Sequence, residues 1–218
     1  MHSRVPNYSV YVITDGKLSR GRGHLQVLSE AIRGGATCVQ LREKDLSARE
    51  LYALAKEIRE LTRKNGVAFI VNDRLDVALA VEADGVHLGQ SDLPAAAARH
   101  IMPPGMLLGV TVRNEKQAVQ AQSDGASYLG AGAVFATGTK TDTGKPMGLA
   151  NLSKICRRVT VPVVGIGGIN ASNAGSVIGA GADGVAVISS VVSADDIAGA
   201  TREIACAVAA ARCSRPIW

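Results

Sequence analysis

Short apolar runs alternate along this chain with longer stretches in which apolar residues recur every three or four positions. The short runs fall at residues 9–14, 38–42, 68–72, 85–88, 107–112, 128–131, 163–166 and 185–188. A run this short, apolar on both faces and bounded by glycine or polar residues, predicts a strand covered on both sides. The longer stretches predict helices. In residues 48–64, Leu51, Leu54, Ala55, Ile58 and Leu61 share one face, with charges opposite. Residues 115–123 and 195–211 read the same way. Shorter helices are expected near Leu75, Pro94 and Ala171, with Pro94 as a first-turn proline.

One phrase recurs: GGATCVQL (34–41), EADGVHLG (82–89), SDGASYLGAG (123–132) and GADGVAVI (181–188). Each is a helix end, a small residue or two, then a strand. Glycine accepts the left-handed conformation of a helix exit, and αβ connections are this short. Repetition of the unit through residues 1–218 predicts an α/β chain folded as one single-domain (β/α)8 barrel, with a lead-in over residues 1–8 and a tail over residues 213–218. A doubly wound open sheet is the structural alternative, and pairing of the first strand with the last separates the two.

Composition narrows the function. The 218 residues are 47% hydrophobic and only 3% aromatic, so aliphatic side chains must fill most of the core. The net charge is +5, but the basic residues are scattered and aromatics that would stack on bases are scarce. That composition suits phosphorylated small molecules and argues against nucleic acid. No apolar run approaches about 18 residues, so no membrane span is expected, and MHSRVPNYS lacks a signal peptide's apolar stretch. Cys38, Cys156, Cys206 and Cys213 form no CxxC pair and no metal-site spacing; they point to a reducing, cytoplasmic compartment.

In such barrels the chemistry gathers where strands end at the C-terminal face. Asp15 follows the first strand; Arg42, Glu43 and Lys44 the second; Asn72, Asp73 and Arg74 the third; Gln90, Ser91 and Asp92 the fourth. The fifth carries Thr111, and Thr137, Thr139, Lys140 and Asp142 follow the sixth. Arg42, Lys44 and Lys140 suit phosphate oxygens. Asp73 and Asp92 suit a Mg2+ ion shared with a diphosphate; either could instead cap the helix that follows. GIGGI (165–169) and the end of the eighth strand suit a monophosphate held on backbone N–H groups, or a tight corner needing glycine. His87, inside Val86–Leu88, reads as a hydrogen-bonded wall residue rather than a base. No Ser or Cys pairs with a His as a nucleophile.

The phrases YVITD, QLREK, VNDRLDVAL, ADGVHLGQSD, LGVTV, GAVFATGTKTD, VVGIGGI and GVAVISS occur in one order over nearly the whole chain. As a set they resemble the thiamine-phosphate synthase (thiamin phosphate pyrophosphorylase) family. The resemblance implies a TIM-barrel transferase of thiamine biosynthesis with small-molecule partners. It would use Mg2+ to join 4-amino-2-methyl-5-(diphosphomethyl)pyrimidine to a thiazole phosphate, or its carboxylate, releasing diphosphate. By the same resemblance Gln40, Arg42, Lys44, Asn72, Thr111 and Lys140 match the pyrimidine-diphosphate positions. Of these, Arg42, Lys44, Thr111 and Lys140 are catalytic. Asp73 and Asp92 match the metal ligands, and Thr137, Gly138, Thr139, Gly168, Ile188 and Ser189 match the thiazole-phosphate positions. Thr111 stands where the family usually has serine, and Ala133 and Ala136 stand where it has prolines. A thiazole tautomerase of similar architecture would not need the charged set, and a thiamine-phosphate sensor would not need the carboxylates.

Overall fold

The computed structural model describes residues 6–138 and 145–214. Eight parallel strands close into a barrel in chain order. They are β1 (Val10–Ile13), β2 (Cys38–Leu41), β3 (Ala68–Asn72), β4 (Gly85–Leu88), β5 (Leu107–Val112), β6 (Tyr128–Gly132), β7 (Val163–Ile166) and β8 (Gly184–Val187). The register Val10↔Val185 and Val12↔Val187 joins β1 to β8, which excludes the open sheet. Helices follow the strands: α1 (His24–Arg33), α2 (Ala48–Asn65), α3 (Leu75–Ala80), α4 (Ala95–Ile101), α5 (Glu115–Ser123), α6 (Gly148–Arg158) and α7 (Ala174–Gly179). A four-residue α8 (Ser189–Val192) and the closing α9 (Ile197–Cys213) complete the order. Among the described residues, no helix is long and apolar enough to cross a membrane.

Element ends differ from the expectations by local chemistry. Pro94 is the N-cap of α4, not its first helical residue. The turn at residues 170–173 is held by Asn170 and Asn173 side chains, which delays α7 to Ala174. Asp196 caps α9 by accepting from Gly199 N at 2.8 Å, so the last helix starts two residues beyond position 195. The helix α2 carries a full capping box, with Ser47 and Glu50 bonding each other's backbone N–H, and ends on Gly66 at φ 64°.

Val, Ile, Leu and Ala fill most of the core, as a chain poor in aromatics requires. The barrel axis is the exception. Three of the four tyrosines gather there: Tyr8 lies 4.6 Å from Tyr128 between ring centroids, and Tyr11 lies 6.1 Å from Tyr128. Two glycines make the room. A Cβ at Gly109 on β5 would overlap the Tyr128 ring and His87 Nδ1, and one at Gly130 would come within 2.9 Å of His87 Cε1. The register sets His87, Gly109 and Tyr128 side by side on three consecutive strands.

Candidate active site

A cavity of about 940 Å3, solvent at its mouth included, opens at the C-terminal ends of the strands. Gln40, Arg42, Asn72 and Thr111 line one side. Thr137, Gly168, Ile188 and Ser189 line it as well. Eight of the expected residues thus share one space, although they come from distant parts of the chain. Lys44, Asp73, Asp92 and Gly138 are not among its lining residues. Thr139 and Lys140 lie outside the described residues, as do Asp142 and Trp218.

The chain leaving β2 is held from several directions. Arg42 donates to Asp15 Oδ2 at 2.6 Å, and both side chains are nearly buried, at 13% and 11% exposure. Its backbone N–H donates to Thr14 Oγ1 at 3.0 Å. The aspartate that ends β1 therefore orients the arginine that ends β2. Among the described residues Arg42 Nε has no protein partner, so the guanidinium is not saturated by them. Glu43 turns away from the cavity. It accepts from Lys44 N at 2.7 Å and Asp45 N at 3.0 Å, and lies 3.0 Å from His24 Nε2. Burial works against its charge, but these N–H groups and His24 outweigh it and hold the carboxyl below its ordinary range. The charged run after Leu41 thus divides its work: Arg42 faces the cavity, Glu43 braces the loop, and Lys44 stays exposed.

Below the mouth runs a chain of polar contacts across the barrel. Gln40, 2% exposed, donates from Nε2 to the Tyr11 hydroxyl at 2.6 Å. Tyr11 and Tyr128 hydroxyls lie 3.0 Å apart. Tyr128 reaches His87 Nδ1 at 3.0 Å, and His87 Nε2 reaches Thr111 Oγ1 at 2.9 Å. His87 is accordingly a hydrogen-bonded wall residue. Burial pushes both phenols well above their ordinary range, so they stay protonated. Tyr11, Tyr128 and Arg113 line the cavity, and the sequence reading assigned none of them. Arg113 had a signal, since it directly follows a strand end. The tyrosines had only their polarity inside apolar runs.

The glycines after β7 satisfy the corner requirement. Gly167 and Gly168 have φ of 97° and 66°. A Cβ on Gly168 would come within 2.8 Å of Phe135 Cβ, and one on Gly167 within 2.6 Å of Ala133 Cβ. Left-handed backbone and the close approach of the chain after β6 explain why side chains are missing there. The backbone still lines the cavity, with α8 starting at Ser189 beside it.

Neither aspartate stands at the N-cap position of the following helix. The N-cap of α3 is Arg74, and that of α4 is Pro94. Asp73 adopts φ 61°, and its N–H donates to the His87 carbonyl at 2.9 Å. Asp92 accepts from Gly89 N through Oδ2 at 2.6 Å, which closes its own loop. Among the described residues, no three His, Cys, Asp or Glu side chains group to hold a metal. Two carboxylates of hard oxygen fit an ion that draws its remaining oxygens from phosphate and water.

A closed (β/α)8 barrel with its cavity at the C-terminal mouth defines the class: a barrel enzyme whose site is assembled from strand ends. The chain belongs to the thiamine monophosphate synthase family, whose model matches residues 10–191. It is 54% identical over 208 residues to the thiamine-phosphate synthase of Moorella thermoacetica, covering 95% of this chain and 99% of that one. It is 53% identical over 202 residues to that of Chloroflexus aurantiacus, covering 93% of each. Among solved structures, the thiamine phosphate pyrophosphorylase from Pyrococcus furiosus superposes with a TM-score of 0.88 at 44% identity, covering 94% of this chain and 98% of that one.

Proposed function

We propose that this transferase condenses 4-amino-2-methyl-5-(diphosphomethyl)pyrimidine with a thiazole phosphate, giving thiamine phosphate and diphosphate in a Mg2+-dependent reaction. The observation that carries the reading is that one cavity takes Gln40, Arg42 and Thr111 together with Thr137, Gly168 and Ser189. Those are the two sets a two-substrate condensation needs side by side.

The amino group of the pyrimidine pushes electrons toward the exocyclic carbon, and the bond to the diphosphate oxygen breaks with its electron pair. The thiazole nitrogen then donates its lone pair to the resulting pyrimidine-methyl cation. No protein nucleophile enters this step. Arg42, held by Asp15, together with Lys44 and Lys140 neutralises charge on the departing diphosphate. Gln40 and Asn72 orient the pyrimidine diphosphate; Thr137, Thr139, Gly168, Ile188 and Ser189 hold the thiazole phosphate. Asp73 and Asp92 would hold Mg2+, which when bound supplies further positive charge to the leaving group. A cytoplasmic setting suits four unbridged cysteines.

The test mixes both precursors with the protein, with and without Mg2+, and quantifies thiamine phosphate and released diphosphate. Product only with the metal is expected, with Arg42→Ala, Lys140→Ala and Asp92→Ala each slower by about 10²-fold. Absence of product from the wild-type protein with Mg2+ overturns the reaction; near-normal turnover in Lys140→Ala and Asp92→Ala overturns the clamp.

A further inference from the structure

We propose that His87 and Tyr128 are positioning residues, which make the Gln40–Tyr11–Tyr128–His87–Thr111 chain run in one sense and aim the Thr111 hydroxyl hydrogen into the cavity. Gln40 gives an N–H to Tyr11. With Tyr11 donating to Tyr128 rather than to the neighbouring Cys38 thiol, the sense runs onward, and Tyr128 donates to His87 Nδ1. His87 therefore carries its proton on Nε2 and donates it to Thr111 Oγ1. With one lone pair engaged, the hydroxyl of Thr111 turns its own hydrogen toward the lumen it lines. The other end is set in the same stroke. An amide that spends its nitrogen on Tyr11 keeps its carbonyl oxygen for a ligand. One end of the relay thus offers an acceptor, suited to an amino group, and the other a donor, suited to an anionic oxygen.

Two further observations support a built relay rather than incidental contact. Gly109 and Gly130 leave the space that the His87 and Tyr128 rings occupy. The backbone carbonyl of Thr111 also accepts from Gln90 Nε2 at 2.6 Å, which ties the end of β5 to the loop after β4. Hydrogen bonds in series also polarise one another in a buried setting.

The inference rests on the proposed condensation for its consequence, though not for its geometry. Two experiments separate the two. The first needs no substrate: 15N-histidine labelling and long-range 1H–15N correlation, with the His87 signal assigned by its loss in His87→Gln. The Nε2–H tautomer is expected in the wild type, and a mixture in Tyr128→Phe, which keeps the ring and removes only the hydroxyl. An Nδ1–H tautomer in the wild type overturns the proposal. The second is a kinetic cycle. His87→Leu should lower kcat/KM for the pyrimidine diphosphate about tenfold, the rate equivalent of one hydrogen bond, with the KM for the thiazole phosphate held. His87→Gln, whose amide can donate to Thr111, should recover most of that loss. In a Thr111→Val background, His87→Leu should cost nothing further; additive losses overturn the relay. Should His87→Leu fail to fold, Tyr128→Phe takes its place in the cycle. A wild-type protein that makes no thiamine phosphate would remove the proposed reaction, while the tautomer measurement still decides the relay.

Discussion

Glu43 stands between two cations of the β2 loop and pairs with neither side chain; it binds the N–H groups of Lys44 and Asp45 and faces His24. Its service is to the loop's shape, and through that to where Arg42 sits. The carboxyl is held below its unfolded value near 4.5. A depressed folded pKa contributes stability that is present above the unfolded pKa and is lost as pH falls through the folded one. Urea midpoints should therefore drop between about pH 5 and pH 3 more steeply in the wild type than in Glu43→Gln. Parallel slopes would show that the carboxylate does not couple to folding. The residue was legible as a charge at a strand end but not as a brace, because the sequence does not say which of four consecutive charged side chains turns inward.

At the scale of elements, α2 shows how much local chemistry decides. Ser47 and Glu50 close the capping box, and Gly66 in the left-handed region ends the helix. Ser47→Ala should cost about 1 kcal/mol in urea unfolding, with enzymatic rates little changed because neither Ser47 nor Glu50 lines the cavity; a null effect on stability would mean tertiary contacts alone set the helix start. The eight strands were legible to within a residue or so at each end, since helix exits and apolar runs mark them from both sides. What the runs could not reveal is the inward face. Strands buried on both sides do not alternate, so nothing local says that Tyr11 and Gln40 point to the lumen while Val10 and Val12 lie against helices. Only closure of the sheet assigns the faces.

For the whole molecule, closure depends on the β1–β8 seam. A Cβ on Gly184 would overlap the Tyr8 carbonyl oxygen, with Ser9 N only 3.2 Å away. Gly184→Ala should cost about 1–3 kcal/mol or more, seen as a fall of several degrees in Tm. Gly179→Ala, where an added methyl meets nothing within 4 Å, should leave Tm level or slightly higher. Equal behaviour of the two variants would remove the seam as a weak point. The site was legible where side chains lie at strand ends, because topology alone gathers those. The relay was not, since its members touch only across the interior. That interior holds a last consequence. Burial keeps the Tyr8, Tyr11 and Tyr128 phenols un-ionised far above their ordinary value of 10.0, so alkali stabilises the open chain, where they can ionise, and stability should decline as pH rises past about 10. Phenolate absorbance near 295 nm, on the order expected for three ionising rings, should then rise in a single cooperative step together with loss of ellipticity. In this way the barrel announces its own opening through the colour of its axis.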